Sequence, residues 1–169
     1  MPTPAPQESI DLAIRYSRYV QGRLNARPES RARLEATLER AFTRAEMAAQ
    51  LAEQPWTDEA GLKRALRRLR QDVMCRVIAR DLSGRADLTE VTRTLSELAE
   101  LAVWQATDWL HADLAEVHGQ PLDGQGRPQR LIVVGMGKLG GRELNASSDI
   151  DLIFVFPEDG ETDGARKLG

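Results

Sequence analysis

The sequence predicts an α+β protein, a helical subdomain followed by the first strand–loop–strand of an α/β core. Three observations carry this expectation. Apolar residues recur at helical spacing through most of residues 9–118. Two short apolar runs, Leu131-Ile-Val-Val134 and Leu152-Ile-Phe-Val-Phe156, read as strands. Between them lies a glycine-rich loop that ends on Asp149-Ile-Asp151.

Along the chain, residues 2–8 carry three prolines and are expected to fray. Ile10, Leu12, Ile14, Tyr16 and Val20 predict one amphipathic helix over 9–24. Pro28 stands where a helix often begins, and Leu34, Leu38, Phe42, Met47 and Leu51 then form one apolar stripe. Pro55 ends that segment, and Thr57 or Asp58 is expected to cap the next. Leu62, Leu66, Leu69, Val73, Val77 and Ile78 carry that helix to a break at Gly84. Asp87 followed by Glu90 suits a helix start. From Leu88 through Val117 the apolar period persists for about eight turns, until Gly119. Residues 119–129 form a turn-rich connector, and the acidic stretch Glu158–Gly164 is expected as an exposed turn. The division is thus a helical subdomain at 1–118, a connector at 119–129 and the incomplete start of an α/β domain at 130–169. Two strands alone do not make a stable sheet, so further strands are expected beyond Gly169.

Composition bounds the function classes. The 169 residues are 41% hydrophobic and 29% charged, as in a soluble globular protein. No apolar run approaches the ~20 residues of a membrane span. The N-terminus lacks the basic and apolar regions of a secretory signal. Cys75 is the sole cysteine, so no intrachain disulfide can form, and a cytoplasmic location is expected. A net charge of -3 gives no reason to expect nucleic-acid binding.

The chemistry concentrates at 135–151. Glycines let backbone N–H groups approach a phosphate without Cβ interference. Residues i and i+2 of a strand share a face, so Asp149 and Asp151, opening the second strand, can point at one divalent cation. Mg²⁺ favours carboxylate and phosphate oxygens. A Walker A loop is excluded, because Lys138 precedes Gly140 and Gly141 instead of following them. Gly135, Gly137 and Gly140 have dinucleotide-fingerprint spacing, but no βαβ crossover fits before Asp149. The bland alternative is a flexible turn and two strand-start aspartates. Two like charges on one face repel unless a cation or basic group neutralises them, which favours the metal pair.

Gly137, eleven residues, Asp149, one residue and Asp151 form a G-x11-D-x-D pattern. It resembles the signature of the nucleotidyltransferase superfamily, whose fold is that of DNA polymerase beta-like enzymes. More narrowly, residues 135–154 closely resemble the bifunctional glutamine synthetase adenylyltransferase/adenylyl-removing family, in its N-terminal, adenylyl-removing copy. Residues 58–70 and 95–101 resemble it more loosely. The resemblance implies phosphorolytic removal of AMP from a tyrosine of glutamine synthetase, with AMP transfer by the other copy. It implies Asp149 and Asp151 as catalytic, metal-binding carboxylates with Mg²⁺ as cofactor. It implies Gly137, Lys138, Gly140, Gly141, Ser147 and Ser148 as the nucleotide- and phosphate-binding loop. Implied partners are glutamine synthetase, the PII signalling protein, ATP or ADP, and phosphate. In the superfamily a third carboxylate comes from a later strand. None is available before Gly169, so these residues alone are expected to be inactive.

A second reading is a non-catalytic helical module that docks on glutamine synthetase or on the rest of its own chain. The basic residues Lys63, Arg64, Arg67, Arg68, Arg70, Arg76 and Arg80 read as a solvated helix face, with contact to a partner or to the phosphate site as the sharper alternative. Trp56, Trp104 and Trp109 read as core or helix-contact residues, and His111 and His118 as surface.

Overall fold

A computed structural model describes residues 4–165. The expected frayed start lies partly outside them; among the described residues the first helix, α1 (Pro6–Tyr16), begins on a proline, which suits an N-terminal turn. The helix expected over 9–24 is two helices. Ser17 is extended, with φ -122° and ψ 106°, and its Oγ accepts the Val20 N–H at 3.3 Å, capping α2 (Arg18–Ala26).

The stripe Leu34 to Leu51 is likewise divided. Helix α3 (Glu29–Thr37) ends, the chain turns, and Thr43 caps α4 (Arg44–Ala52) by accepting the Glu46 N–H at 3.2 Å. All five stripe residues are buried, but in two cores. Leu34 and Leu38 join Ile10, Ala13, Val20 and Leu24, whereas Phe42, Met47 and Leu51 join the other.

Helix α5 (Glu59–Leu82) lies between the cores and touches α1, α2, α3, α4 and α6. Asp58 is its cap, accepting the Gly61 N–H at 2.6 Å. Lys63, Arg64, Arg67, Arg68 and Arg70 are exposed, as expected of a solvated face, whereas burial of the other end of α5 on several sides takes Arg76 and Arg80 out of it. Arg76 is 4% exposed and Arg80 6%. Arg76 grips both oxygens of Glu46 and lies 3.9 Å over the Phe42 ring. Arg80 pairs with Glu90 at 2.6 Å and donates to the Leu38 carbonyl at 2.6 Å. These two arginines tie the 38–43 turn to α5.

Gly84, at φ 70°, closes the turn into α6 (Leu88–His118), which Asp87 caps and Gly119 ends at φ 82°. The first half of α6 buries Leu95, Leu98 and Leu101. Along the second half Trp104, expected as a core or helix-contact residue, is 55% exposed and so lies outside the core, and Leu110, Leu114 and Val117 are exposed too. Trp56 packs on the α4–α5–α6 core.

Among the described residues the strands make two antiparallel pairs. β1 (Pro121–Leu122) pairs with β4 (Glu161–Thr162), so the connector and the acidic stretch expected as a free turn hold each other. β2 (Ile132–Gly135) pairs with β3 (Leu152–Val155), in the register Ile132 to Val155 through Gly135 to Leu152. Among the described residues no helix is long and apolar enough to cross a membrane.

Candidate functional site

The loop between β2 and β3 is built around a close approach. After β2 the chain enters a single helical turn, α7 (Gly137–Gly140). A side chain at Gly140 would put its Cβ 2.6 Å from the Gly135 carbonyl oxygen, so only glycine lets this turn fold back on the strand. Gly137 has φ 53°, a left-handed conformation that glycine adopts freely. Leu139 and Leu144 then plunge into the α4–α5–α6 core.

Helix α6 fixes the rest of the loop. The Leu144 N–H donates to the buried Ser96 Oγ at 3.3 Å. Glu100 accepts from Arg142 at 3.1 Å and from Arg44 of α4 at 3.0 Å. Arg142 has φ 57°, a conformation a non-glycine residue holds only when its surroundings enforce it. Ser96, Glu100, Arg142 and Leu144 were not singled out by the sequence. Their roles rest on pairings 42–56 residues apart, which a helical period does not reveal.

β3 begins at Leu152, so Asp149 and Asp151 precede the strand. Asp151 extends the ladder all the same, its carbonyl accepting the Met136 N–H at 2.9 Å. Its carboxylate faces Gly137, where an added Cβ would lie 4.0 Å from Oδ2. Both carboxylates are exposed, and neither has a hydrogen-bond or ion-pair partner among the described residues.

Lys138 Nζ reaches Ser148 Oγ at 3.4 Å, bringing two expected loop residues together. Asn145 Oδ1 accepts from the Ser147 N–H and Oγ, both at 3.1 Å, and from Ser148 Oγ at 2.9 Å. An Asn ahead of two serines is an Asx-turn signal that the sequence already carried. Gly141 donates to the Gly137 carbonyl at 3.0 Å and serves the turn geometry. Next to Asp149 a cleft of about 330 Å³ opens between α5, α6 and the loop, with Arg67 and Arg70 at its α5 wall and Ser148 and Asp149 at its loop wall. Arg67 and Arg70 thus border the same cleft as Ser148 and Asp149.

Two exposed, unpartnered carboxylates offer hard oxygen donors and fit a cation such as Mg²⁺. Among the described residues no group of three or more His, Cys, Asp or Glu side chains is gathered for a metal. Asp149 and Asp151 are at most part of a coordination shell.

Comparison with known proteins gives a consistent result. The family model described as glutamate-ammonia ligase adenylyltransferase matches residues 8–168. A protein of Chromobacterium violaceum named bifunctional glutamine synthetase adenylyltransferase/adenylyl-removing enzyme is 52% identical over 162 residues, 95% of this chain and 18% of that protein. Proteins of the same name from Aromatoleum aromaticum and Shewanella oneidensis are 47% and 44% identical, each over 98% of this chain. The chain spans about 18% of the length of these relatives.

Proposed function

Since the chain belongs to the glutamate-ammonia ligase adenylyltransferase family, we propose that it carries part of an adenylyl-removing site acting on glutamine synthetase. The observation that supports this most is the pair of unpartnered carboxylates, Asp149 and Asp151, set beside a glycine turn pinned to α6.

In the proposed reaction an oxygen of inorganic phosphate attacks the phosphorus of the AMP–tyrosine phosphodiester. The bond to the tyrosine oxygen breaks, the phenolate takes up a proton, and ADP leaves. Asp149 and Asp151 would hold Mg²⁺, which supplies charge neutralisation at the phosphoryl oxygens. The chain's own residues bind and orient. Gly137, Gly140 and Gly141 let the backbone come close to the phosphate, and Lys138, Ser147 and Ser148 face the same loop mouth. Among the described residues no third acidic ligand joins Asp149 and Asp151, so in this reading groups outside the described residues complete the site. PII, as regulator, and ATP, for the transfer reaction, engage the longer protein in the same cytoplasmic setting.

The test is a chimaera. This segment replaces the matching part of the Chromobacterium violaceum relative, and release of AMP as ADP from adenylylated glutamine synthetase is followed with phosphate and Mg²⁺. Activity within about tenfold of the parent supports the reading. A folded chimaera that transfers AMP but does not remove it contradicts it.

A further inference from the structure

The loop residues Ser147 and Ser148 converge on Asn145, a residue outside the expected site, and Lys138 joins them through Ser148. The Ser147 backbone N–H donates to Asn145 Oδ1 at 3.1 Å. A backbone N–H can only donate, so this bond fixes the amide with its oxygen toward the serines. Both hydroxyls must then act as donors to the same atom, Ser147 Oγ at 3.1 Å and Ser148 Oγ at 2.9 Å. A hydroxyl has one proton, so what the serines have left to offer is lone pairs. Ser148 uses one to accept from Lys138 Nζ at 3.4 Å. A phosphate oxygen is itself an acceptor and gains nothing from a lone pair. The group with protons to spare is the Lys138 ammonium, which has three.

We propose that Asn145 is a positioning residue. By taking both serine protons it turns Ser148 into an acceptor that tethers the Lys138 ammonium at the loop mouth, and Lys138, not either hydroxyl, meets the phosphoryl oxygen. The inference rests on the loop being a phosphate site, and it reassigns the contact within that site. The 3.4 Å tether is long, which leaves the ammonium free to advance onto an incoming oxygen.

The test uses this chain, inorganic phosphate as probe, and two readouts. Side-chain nitrogen relaxation reports how ordered Lys138 Nζ is without ligand, and a phosphate titration reports binding. Asn145→Ala and Ser148→Ala are expected to lower Lys138 order and to weaken phosphate binding about fivefold, the scale of one lost tether. Asn145→Asp keeps an acceptor and restores the order. Lys138→Met weakens binding at least as much as Asn145→Ala, and the double variant is no weaker than Lys138→Met alone, because both act through one group. Unchanged order and binding within twofold in Asn145→Ala overturn the inference and leave the phosphate site standing. Tighter binding in Asn145→Ala, from freed hydroxyls, overturns it too and makes the serines the contact. A wild-type chain whose loop resonances ignore phosphate overturns the inference, and the reaction itself is then decided by the chimaera.

Discussion

At the scale of single residues, Arg76 and Glu46 decide how the turn at 38–43 sits on α5. Arg76 is nearly buried, whereas Glu46 keeps 27% of its side-chain surface. Burial alone would raise the Glu46 carboxyl, but the hydrogen bonds and charge of Arg76, with Arg40 nearby, hold it net below the ordinary carboxylate range. A depressed folded value stabilises the protein above the unfolded pKa, about 4.3 for glutamate. That contribution is lost as pH falls through the lower folded value. Urea unfolding followed by circular dichroism from pH 7 to 3 is expected to show this acid-dependent loss in the wild type and a smaller one in Glu46→Gln. Arg76→Met leaves Glu46 with only the exposed Arg40, 3.6 Å away, and is expected to cost about 2 kcal/mol at pH 7. Adding Glu46→Gln to Arg76→Met should recover part of that, and a double variant no more stable than Arg76→Met would contradict the pairing. The neighbouring Cys75 is chemically quiet for a related reason. Burial, with a smaller push from Asp72, raises its thiol to about 11. Maleimide labelling of Cys75 is therefore expected to follow global unfolding, and fast labelling of the native chain would contradict its placement.

At the scale of elements, helix ends were more legible than helix breaks. Asp58, Asp87 and Gly119 stand at ends that the sequence marked, because a cap is a local hydrogen bond between residues three apart. Ser17 and the 38–43 turn were missed because the apolar period runs on across them. Buried Leu38 and Phe42 keep the spacing of one stripe while serving two different cores. The end of the basic run on α5 misled for the converse reason, since Arg76 and Arg80 are buried against half-buried acidic partners from α4 and α6. At the candidate site, the glycines and the Asp-x-Asp were visible in sequence, whereas the α6 anchors Ser96 and Glu100 were not. Two glycines allow a paired test of helix logic. At Gly22 in α2 an added Cβ meets nothing within 4 Å, so Gly22→Ala is expected to stabilise by about 0.7 kcal/mol. At Gly61 the same Cβ would lie 2.9 Å from the capping oxygen of Asp58 and 3.0 Å from Trp56 Cβ. Gly61→Ala is therefore expected to lower the melting temperature despite alanine's better propensity. A rise at Gly61 equal to that at Gly22 would contradict the cap geometry.

At the scale of the whole molecule, the buried cores and the candidate site lie on different parts. The helices enclose two cores, whereas β2 and β3 form a two-stranded sheet that leaves Ile132, Val134, Ile153, Phe154 and Val155 exposed. Such a sheet is marginal by itself. Hydrogen exchange is expected to show α5 amides protected on the order of a hundredfold more than those of β2 and β3. Equal protection would mean that the sheet is stable without further strands. The exposed edge also predicts concentration-dependent association of the isolated chain, measurable by light scattering. What links the two parts is the loop pinned to α6, which holds Asp149 and Asp151 between a stable scaffold and the two-stranded sheet. The most direct measurement of this account is AMP removal by the Chromobacterium violaceum chimaera carrying Asp149→Asn, an exchange that deletes a charge at nearly constant shape. The account predicts a loss of at least about a thousandfold with AMP transfer retained. Removal within threefold of the unsubstituted chimaera would contradict it.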